Sequence, residues 1–319
     1  MTSQLETIPL GKTAVRVTPL GLGVWQWGDT RIWGYGQSYT DADLKPVYDA
    51  TLAAGINFID TAEIYGRGRS ETLLGQFMRQ TQTRDRLVVA SKFAPFPWRL
   101  GGRRLGDALR ASLNRLGVSQ VDLYQIHFPI PPVSVETWMA AMAEAVQQGL
   151  IRAVGVSNYS VQQTRRAHAA LAKHGIPLAS NQVEYSLLQR KPETSGLTEV
   201  CRELGVTIIA YSPIAKGLLS GKYTPDNLPP GLRGRLTNQP YLAKIQPLIG
   251  LLKDIGQGQG IANSARTPVQ VALNWLICKG AVPIPGAKNL RQAQDNFGAL
   301  GWRLSEAEVQ ALDKASGSL

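Results

Sequence analysis

Cysteine is scarce in this 319-residue chain: there are two, Cys201 and Cys278, far apart in sequence. Two such thiols build no disulfide framework and suit a reducing compartment. Histidine occurs three times, and neither H-E-x-x-H nor a paired C-x-x-C is present, so no metal site is expected. No run approaches the roughly 18 consecutive apolar residues of a membrane span. The stretch 1–9 is polar where a signal peptide would be apolar. A soluble, cytoplasmic protein is expected. Acidic residues are outnumbered, 23 against 34 basic, for a net charge of +11. Nucleic-acid proteins gather such an excess into a patch. Here Lys and Arg are spread along the chain, so the expected partner is a small anionic molecule, with neither nucleic acid nor membrane. Nothing in the sequence speaks to oligomeric state.

What the chain does have is apolar content, 44%, enough for a large core. It is arranged as short β-branched runs alternating with longer amphipathic stretches. The runs are Pro19–Gly23, Ile56–Ile59, Leu87–Ala90, Val121–Ile126, Ile151–Val156, Leu178–Val183, Val206–Ala210 and Ala281–Ile284. Between them, spacings such as Leu105–Leu109–Leu113–Leu116 mark one face of a helix, and Gly117 and Gly205 stand where left-handed helix stops belong. Helices are predicted over 41–54, 70–79, 104–116, 135–147, 161–173, 196–204, 268–278 and 290–297. Repeated βαβ units with near-continuous apolar strands imply a parallel sheet covered by helices. Residues 1–319 then read as one domain, a (β/α)8 barrel. An N-terminal β-hairpin around Gly11-Lys12 precedes it, and a C-terminal helix over 305–315 follows. The rival, a doubly wound open sheet, would carry a glycine-rich fingerprint after its first strand. That strand ends Gly21-Leu22-Gly23-Val24-Trp25-Gln26, without the third glycine or alanine. Residues 212–240, with five prolines, read as a long functional loop, and the glycine cluster 256–260 as a flexible turn.

In such a barrel the active site lies at the C-terminal strand ends. Reading each run to its end gives Asp60, Lys92 and His127, then Ser157 and Asn158, Gln182, and Tyr211 with Ser212. Taken singly, these are a turn aspartate, a surface lysine and a structural histidine. As a set on one rim they are a constellation. Asp60 and Lys92 come from neighbouring strands, and Tyr65 follows on the loop after Asp60. A lysine ammonium about 4 Å from a phenol favours its ionisation by about three pKa units before desolvation opposes it. Tyr65 thus reads as a proton donor, Asp60 as the group that keeps Lys92 charged, and His127 as a hydrogen-bond partner for a carbonyl oxygen. An acid aimed at that oxygen needs a reductant for the carbon, which a nicotinamide cofactor supplies. Trp25, Trp33, Phe93, Trp98 and Phe128 follow strand ends or lie in rim loops and suggest an apolar substrate pocket, with packing of the barrel rim the equal alternative for any one of them.

Asp60, Tyr65, Lys92 and His127, in that order, resemble the catalytic tetrad of the aldo-keto reductases. The segments Gly55–Gly66, Val154–Tyr159 and Ile284–Lys288 are similar to that family's signatures, nearest to potassium-channel β-subunits and plant or cyanobacterial pyridoxal-reductase-like proteins. The resemblance implies NADPH-dependent reduction of a small-molecule carbonyl, with the cofactor lying across the barrel mouth. It implies that Ser157, Asn158 and Gln182 hold the nicotinamide amide and that Tyr211 stacks on its ring. Ser212, Pro213, Ile214, Leu218, Ser220 and Lys222 would line the pyrophosphate, with Arg233 as a clamp. Gly286, Lys288, Gln292, Asp295 and Asn296 would bind the adenosine end, and Trp25 joins the cofactor set. The alternative is a regulatory subunit that senses cofactor redox state with slow turnover.

Overall fold

A computed structural model describes residues 5–99, 101–229, 234, 238–260 and 265–317. It opens with an antiparallel hairpin, β1 (Ile8–Pro9) against β2 (Arg16–Val17). Eight strands then lie parallel in sequence order. They are β3 (Leu22–Gly23), β4 (Phe58–Asp60), β5 (Val88–Phe93), β6 (Val121–Ile126), β7 (Ile151–Ser157), β8 (Leu178–Glu184), β9 (Thr207–Tyr211) and β10 (Val282–Pro283). The first and last meet: Gly21 N donates to Pro283 O at 3.0 Å, Gly23 N to Pro285 O at 3.1 Å, and Gly23 bridges Gly286 in parallel. The sheet is a closed barrel, as expected.

Helices cover it in order: α1 (Asp41–Ala53), α2 (Arg69–Thr81), α3 (Gly102–Leu116), α4 (Val135–Gln147), α5 (Val161–Ala172), α6 (Lys191–Thr194), α7 (Leu197–Leu204), α8 (Gln239–Gly258), α9 (Pro268–Cys278), α10 (Leu290–Phe297) and α11 (Glu306–Gly317). Their ends follow local chemistry. Ser160 and Gln163 form a capping box before α5, and Gly117 and Gly205 close α3 and α7 at φ 68° and 70°. Among the described residues, no helix is long and apolar enough to cross a membrane.

Helix α8 corrects the sequence reading, which gave this region no helix and made 256–260 a turn. Its apolar face is regular, with Leu242, Ile245, Leu248, Ile249, Leu252 and Ile255 buried. Pro240 occupies the permissive first turn, while Pro247, Gly256 and Gly258 disguise the rest. Gly256 has a packing reason: a Cβ there would lie 2.1 Å from the carbonyl oxygen of Arg266, whose N–H donates to Gly256 O at 2.8 Å. The stretch read as one loop is also partly ordered, with a 3₁₀ segment at Ala215–Ser220.

Side chains alternate across each strand, so every second residue points into the barrel. Leu10, Val15 and Val17 from the hairpin end plug its lower end together with Phe58, Val88, Leu123, Ala153, Ile209 and Val282. One layer further along the same inward face come polar residues: Phe58 leads to Asp60, Ala90 to Lys92, Gln125 to His127 and Ile209 to Tyr211. The packed floor therefore sets the direction of the chemistry above it.

Candidate active site

Lys92 is fully buried, and its ammonium holds three oxygens. It donates to Asp60 Oδ1, to the Thr61 carbonyl at 2.8 Å, and to the Tyr65 hydroxyl at 3.4 Å. Such a cation survives in the interior because the Asp60 carboxylate is buried beside it. Burial is the largest single influence and opposes the Lys92 charge, but Asp60 and Tyr65 together outweigh it and raise the lysine above its ordinary pKa. The turn carrying Tyr65 is pinned from outside. Arg99 grips both oxygens of Glu63, at 2.5 and 3.1 Å, and Ala94 N donates to Glu63 at 2.7 Å.

Desolvation pushes the Tyr65 hydroxyl up while the Lys92 charge pulls it down, and the net shift is upward. This corrects the expectation that Lys92 would bring the phenol toward neutrality. In a desolvated site the cost of a phenolate exceeds the gain from one cation already shared with Asp60. The hydroxyl therefore keeps its proton at neutral pH.

His127 follows β6 and lies 5.8 Å from the Tyr65 ring in an edge-on arrangement. Burial, and then the Lys92 charge, hold its pKa well below the ordinary value, so the ring is neutral at physiological pH. Its Nδ1 is buried with no hydrogen-bond partner among the described residues. The low pKa has a measurable consequence. An unfolded histidine takes up its proton near about pH 6.5, and the folded one resists it. The native state therefore loses stability as pH falls below that value, down to the folded pKa. Thermal melts of wild type and His127→Gln should differ in slope between pH 7 and 5, the wild type falling more steeply; parallel slopes would contradict the neutral imidazole.

Asp60, Tyr65 and His127 open onto a cavity of about 990 Å³, with Lys92 buried behind them. Trp25, Ser157, Asn158, Gln182, Tyr211, Ser212, Pro213, Ile214, Ser220 and Lys222 line it, with Gly286, Lys288, Gln292, Asp295 and Asn296. Asn158 donates to the His127 carbonyl at 3.2 Å and accepts from Tyr211 at 3.0 Å, tying three strand ends together. Asn158, Ser212 and Lys216, all cavity-lining, take left-handed φ values of 63°, 50° and 54°. Strain of this kind on non-glycine residues gathers at functional sites.

Other expected positions carry additional bonds. The Gln182 amide nitrogen turns inward to Asp60 Oδ2 at 2.8 Å. Asp295 accepts from Thr267 at 2.6 Å, at the start of α9. The Lys288 ammonium donates to the Trp33 carbonyl at 2.9 Å, about 5 Å above the Trp33 and Tyr39 rings. Leu218 instead packs on the apolar cluster of Tyr223, Leu242 and Ile245, away from the cavity wall. Arg233 lies outside the described residues.

Of the proposed pocket aromatics, Trp25, Trp33 and Phe128 line the cavity. Phe93 does not: it alternates with inward-facing Lys92 and packs outward on Trp138 at 5.2 Å. Trp98 is 74% exposed, stacked on Phe96. Sequence reasoning passed over Gln26, Glu184 and Lys216, which line the cavity, and Gln125, which touches Asp60. Gln125 was visible as a lone amide within an apolar strand run, two residues before His127 on the same face.

Residues 19–316 match the aldo/keto reductase family. The chain is 42% identical to the chloroplastic pyridoxal reductase of Arabidopsis thaliana over 311 residues, 94% of this chain and 83% of that one. It is 33% identical to the NADP(+) aldo-keto reductase yakc of Schizosaccharomyces pombe, over 88% of this chain and 84% of the relative. Among solved structures it is similar to a thermostable aldo-keto reductase in complex with the inhibitor epalrestat. There the TM-score is 0.78 and the identity 32%, with 98% of this chain and all of the other covered. A buried acid–lysine–tyrosine constellation at the mouth of a closed barrel, and likeness along nearly the whole length, lead to one assignment: the chain is an oxidoreductase that belongs to the aldo/keto reductase family.

Proposed function

We propose that this chain reduces an aldehyde or ketone to the alcohol with NADPH, and that Tyr65 gives its proton to the carbonyl oxygen. The contact chain Asp60–Lys92–Tyr65 at the cavity carries this reading. The cavity suits a large anionic cofactor. Lys216, Lys222, Lys288 and Arg291 line it, and Gln26 has a buried Oε1 with no partner among the described residues, an acceptor for an N–H or O–H of the same molecule. When bound, the reduced nicotinamide supplies a hydride equivalent to the carbonyl carbon.

The chain's residues do the rest. Tyr65 protonates the oxygen, and Lys92 stabilises the phenolate left behind. Neutral His127 fixes the direction of the carbonyl by a hydrogen bond. Trp25, Trp33, Ile64 and Phe128 exclude water around the reacting group. Ser157, Asn158 and Gln182 would hold the nicotinamide amide over the Tyr211 ring, the 212–222 segment the phosphates, and residues 286–296 the adenosine end. A cytoplasmic location goes with this reading, supported by two unpaired cysteines, one buried and one half-buried.

The test is NADPH oxidation across an aldehyde panel. Pyridoxal belongs first in it, because the A. thaliana relative is named for that substrate and a flat aromatic aldehyde suits aromatic walls. No turnover on any member, together with tight NADPH binding, would favour the cofactor-sensing alternative. Lys288 and Arg291 line the cavity and are the cations this reading assigns to a 2′-phosphate; the S. pombe relative is named for NADP(+). Lys288→Ala is expected to weaken NADPH about tenfold and NADH little, since a single charge-assisted hydrogen bond is worth about that much. Fluorescence titration with both cofactors reads it; equal weakening removes the role.

A further inference from the structure

Asp60 is gripped from two sides. Lys92 takes Oδ1, while the amide nitrogens of Gln182 and Gln125 converge on Oδ2 at 2.8 and 3.1 Å. The amides also meet each other, Gln182 donating to Gln125 Oε1 at 3.3 Å. Asp60, Lys92, Gln125 and Gln182 are all at most 2% exposed. An amide buried this deeply costs stability unless its partners are in place. In register, Gln125 stands beside Lys92 on β5 and Gly155 on β7. A Cβ at Gly155 would fall 2.9 Å from Gln125 Cγ and 2.6 Å from Ser180 Oγ. The missing side chain is the room through which Gln125 crosses the barrel to Asp60.

We propose that Gln125, seated in the space left by Gly155, is a positioning residue that works with Gln182 to fix the Asp60 carboxylate so that Lys92 is aimed at Tyr65. The inference rests on the reading of Tyr65 as proton donor. Gln125 does not line the cavity; it acts through Asp60. A carboxylate is free to rotate about its Cβ–Cγ bond, and two donors on Oδ2 stop that rotation and leave Oδ1 facing Lys92. Without Gln125 one donor remains, the carboxylate slips, and the 3.4 Å contact between Lys92 and Tyr65 loosens. The groups facing the Lys92 charge are Asp60 from β4, Tyr65 from the following turn, and His127 beyond β6. When Asp60 retreats, burial gains against the remaining pull of Asp60 and Tyr65, which favours the neutral lysine.

Gln125→Met keeps the volume and removes the amide. Gln125→Asn keeps an amide too short to reach, and Gly155→Ala displaces Gln125 from the other side. Each is expected to lower kcat about tenfold to hundredfold, the size of a lost hydrogen bond to a charged group, with NADPH affinity within about twofold. The alkaline side of the kcat–pH profile should change, because Lys92 and Tyr65 titrate there as a contacting pair, and Gln125→Met should add no loss in an Asp60→Asn background. A lower melting temperature with wild-type kcat and pH profile would make Gln125 merely structural and overturn the proposal. Tyr65→Phe is the control. If it keeps turnover, the proton-donor reading fails; if it is inactive while the Gln125 variants turn over normally, this proposal alone fails.

Discussion

Tyr65→Phe is expected to lower kcat by about two to four orders of magnitude, the range that a positioned general acid contributes, while NADPH binds as before. The substitution removes one hydroxyl and leaves the ring against Trp25 and His127, at 6.2 and 5.8 Å between centroids. The ring packing therefore stays, and a loss of rate with unchanged cofactor affinity would isolate the hydroxyl's contribution. Because desolvation raises the phenol above its ordinary pKa, the wild-type hydroxyl is protonated through neutral pH. Rate should hold in that range and fall only on the alkaline side. Steady-state kinetics with a good aldehyde, beside a cofactor titration, reads both halves. A variant with wild-type kcat would dismiss Tyr65 as the acid.

Lys92→Met should strike stability as well as rate. The variant strands the Asp60 carboxylate in the barrel with its two amide donors and no cation. Removing one member of a buried ion pair costs about 3–5 kcal/mol, because the other charge stays desolvated. Melting temperature should drop on the order of 10 °C. Adding Asp60→Asn to Lys92→Met should recover much of that fall without recovering turnover, since a neutral amide tolerates burial that a carboxylate does not. Thermal unfolding of the two single variants and the double separates the cost of the charge from the loss of catalysis. If Lys92→Met melts with the wild type, the pair is not the buried ion pair seen here.

The strands and most helices were legible because burial imposes a period. A parallel barrel strand is covered on both faces, so its run is continuously apolar and ends where the rim begins. Asp60, Lys92 and His127 could be read as rim residues for that reason. Helix α8 was not legible: Pro240, Pro247 and three glycines resemble loop chemistry, and the tertiary reason for Gly256, its approach to Arg266, has no local signature. Between pocket and rim packing the sequence leaves Phe93 and Trp98 open, because a place at a strand end or in a rim loop does not tell which way a side chain points. One residue of alternation turns Phe93 away from the cavity.

The order of residues by itself determined the barrel and which polar groups stand on its mouth, since both follow from periodicities that any single strand or helix displays. Only the folded structure decided how those groups are coupled. The grip of Gln125 and Gln182 on Asp60 joins strands up to 122 residues apart in sequence, and Gly155 clears its path. Likewise the upward shift of Tyr65 depends on how much solvent the closed barrel removes from its hydroxyl. Desolvation and side-chain reach are properties of three-dimensional packing, and no pattern along the chain contains them.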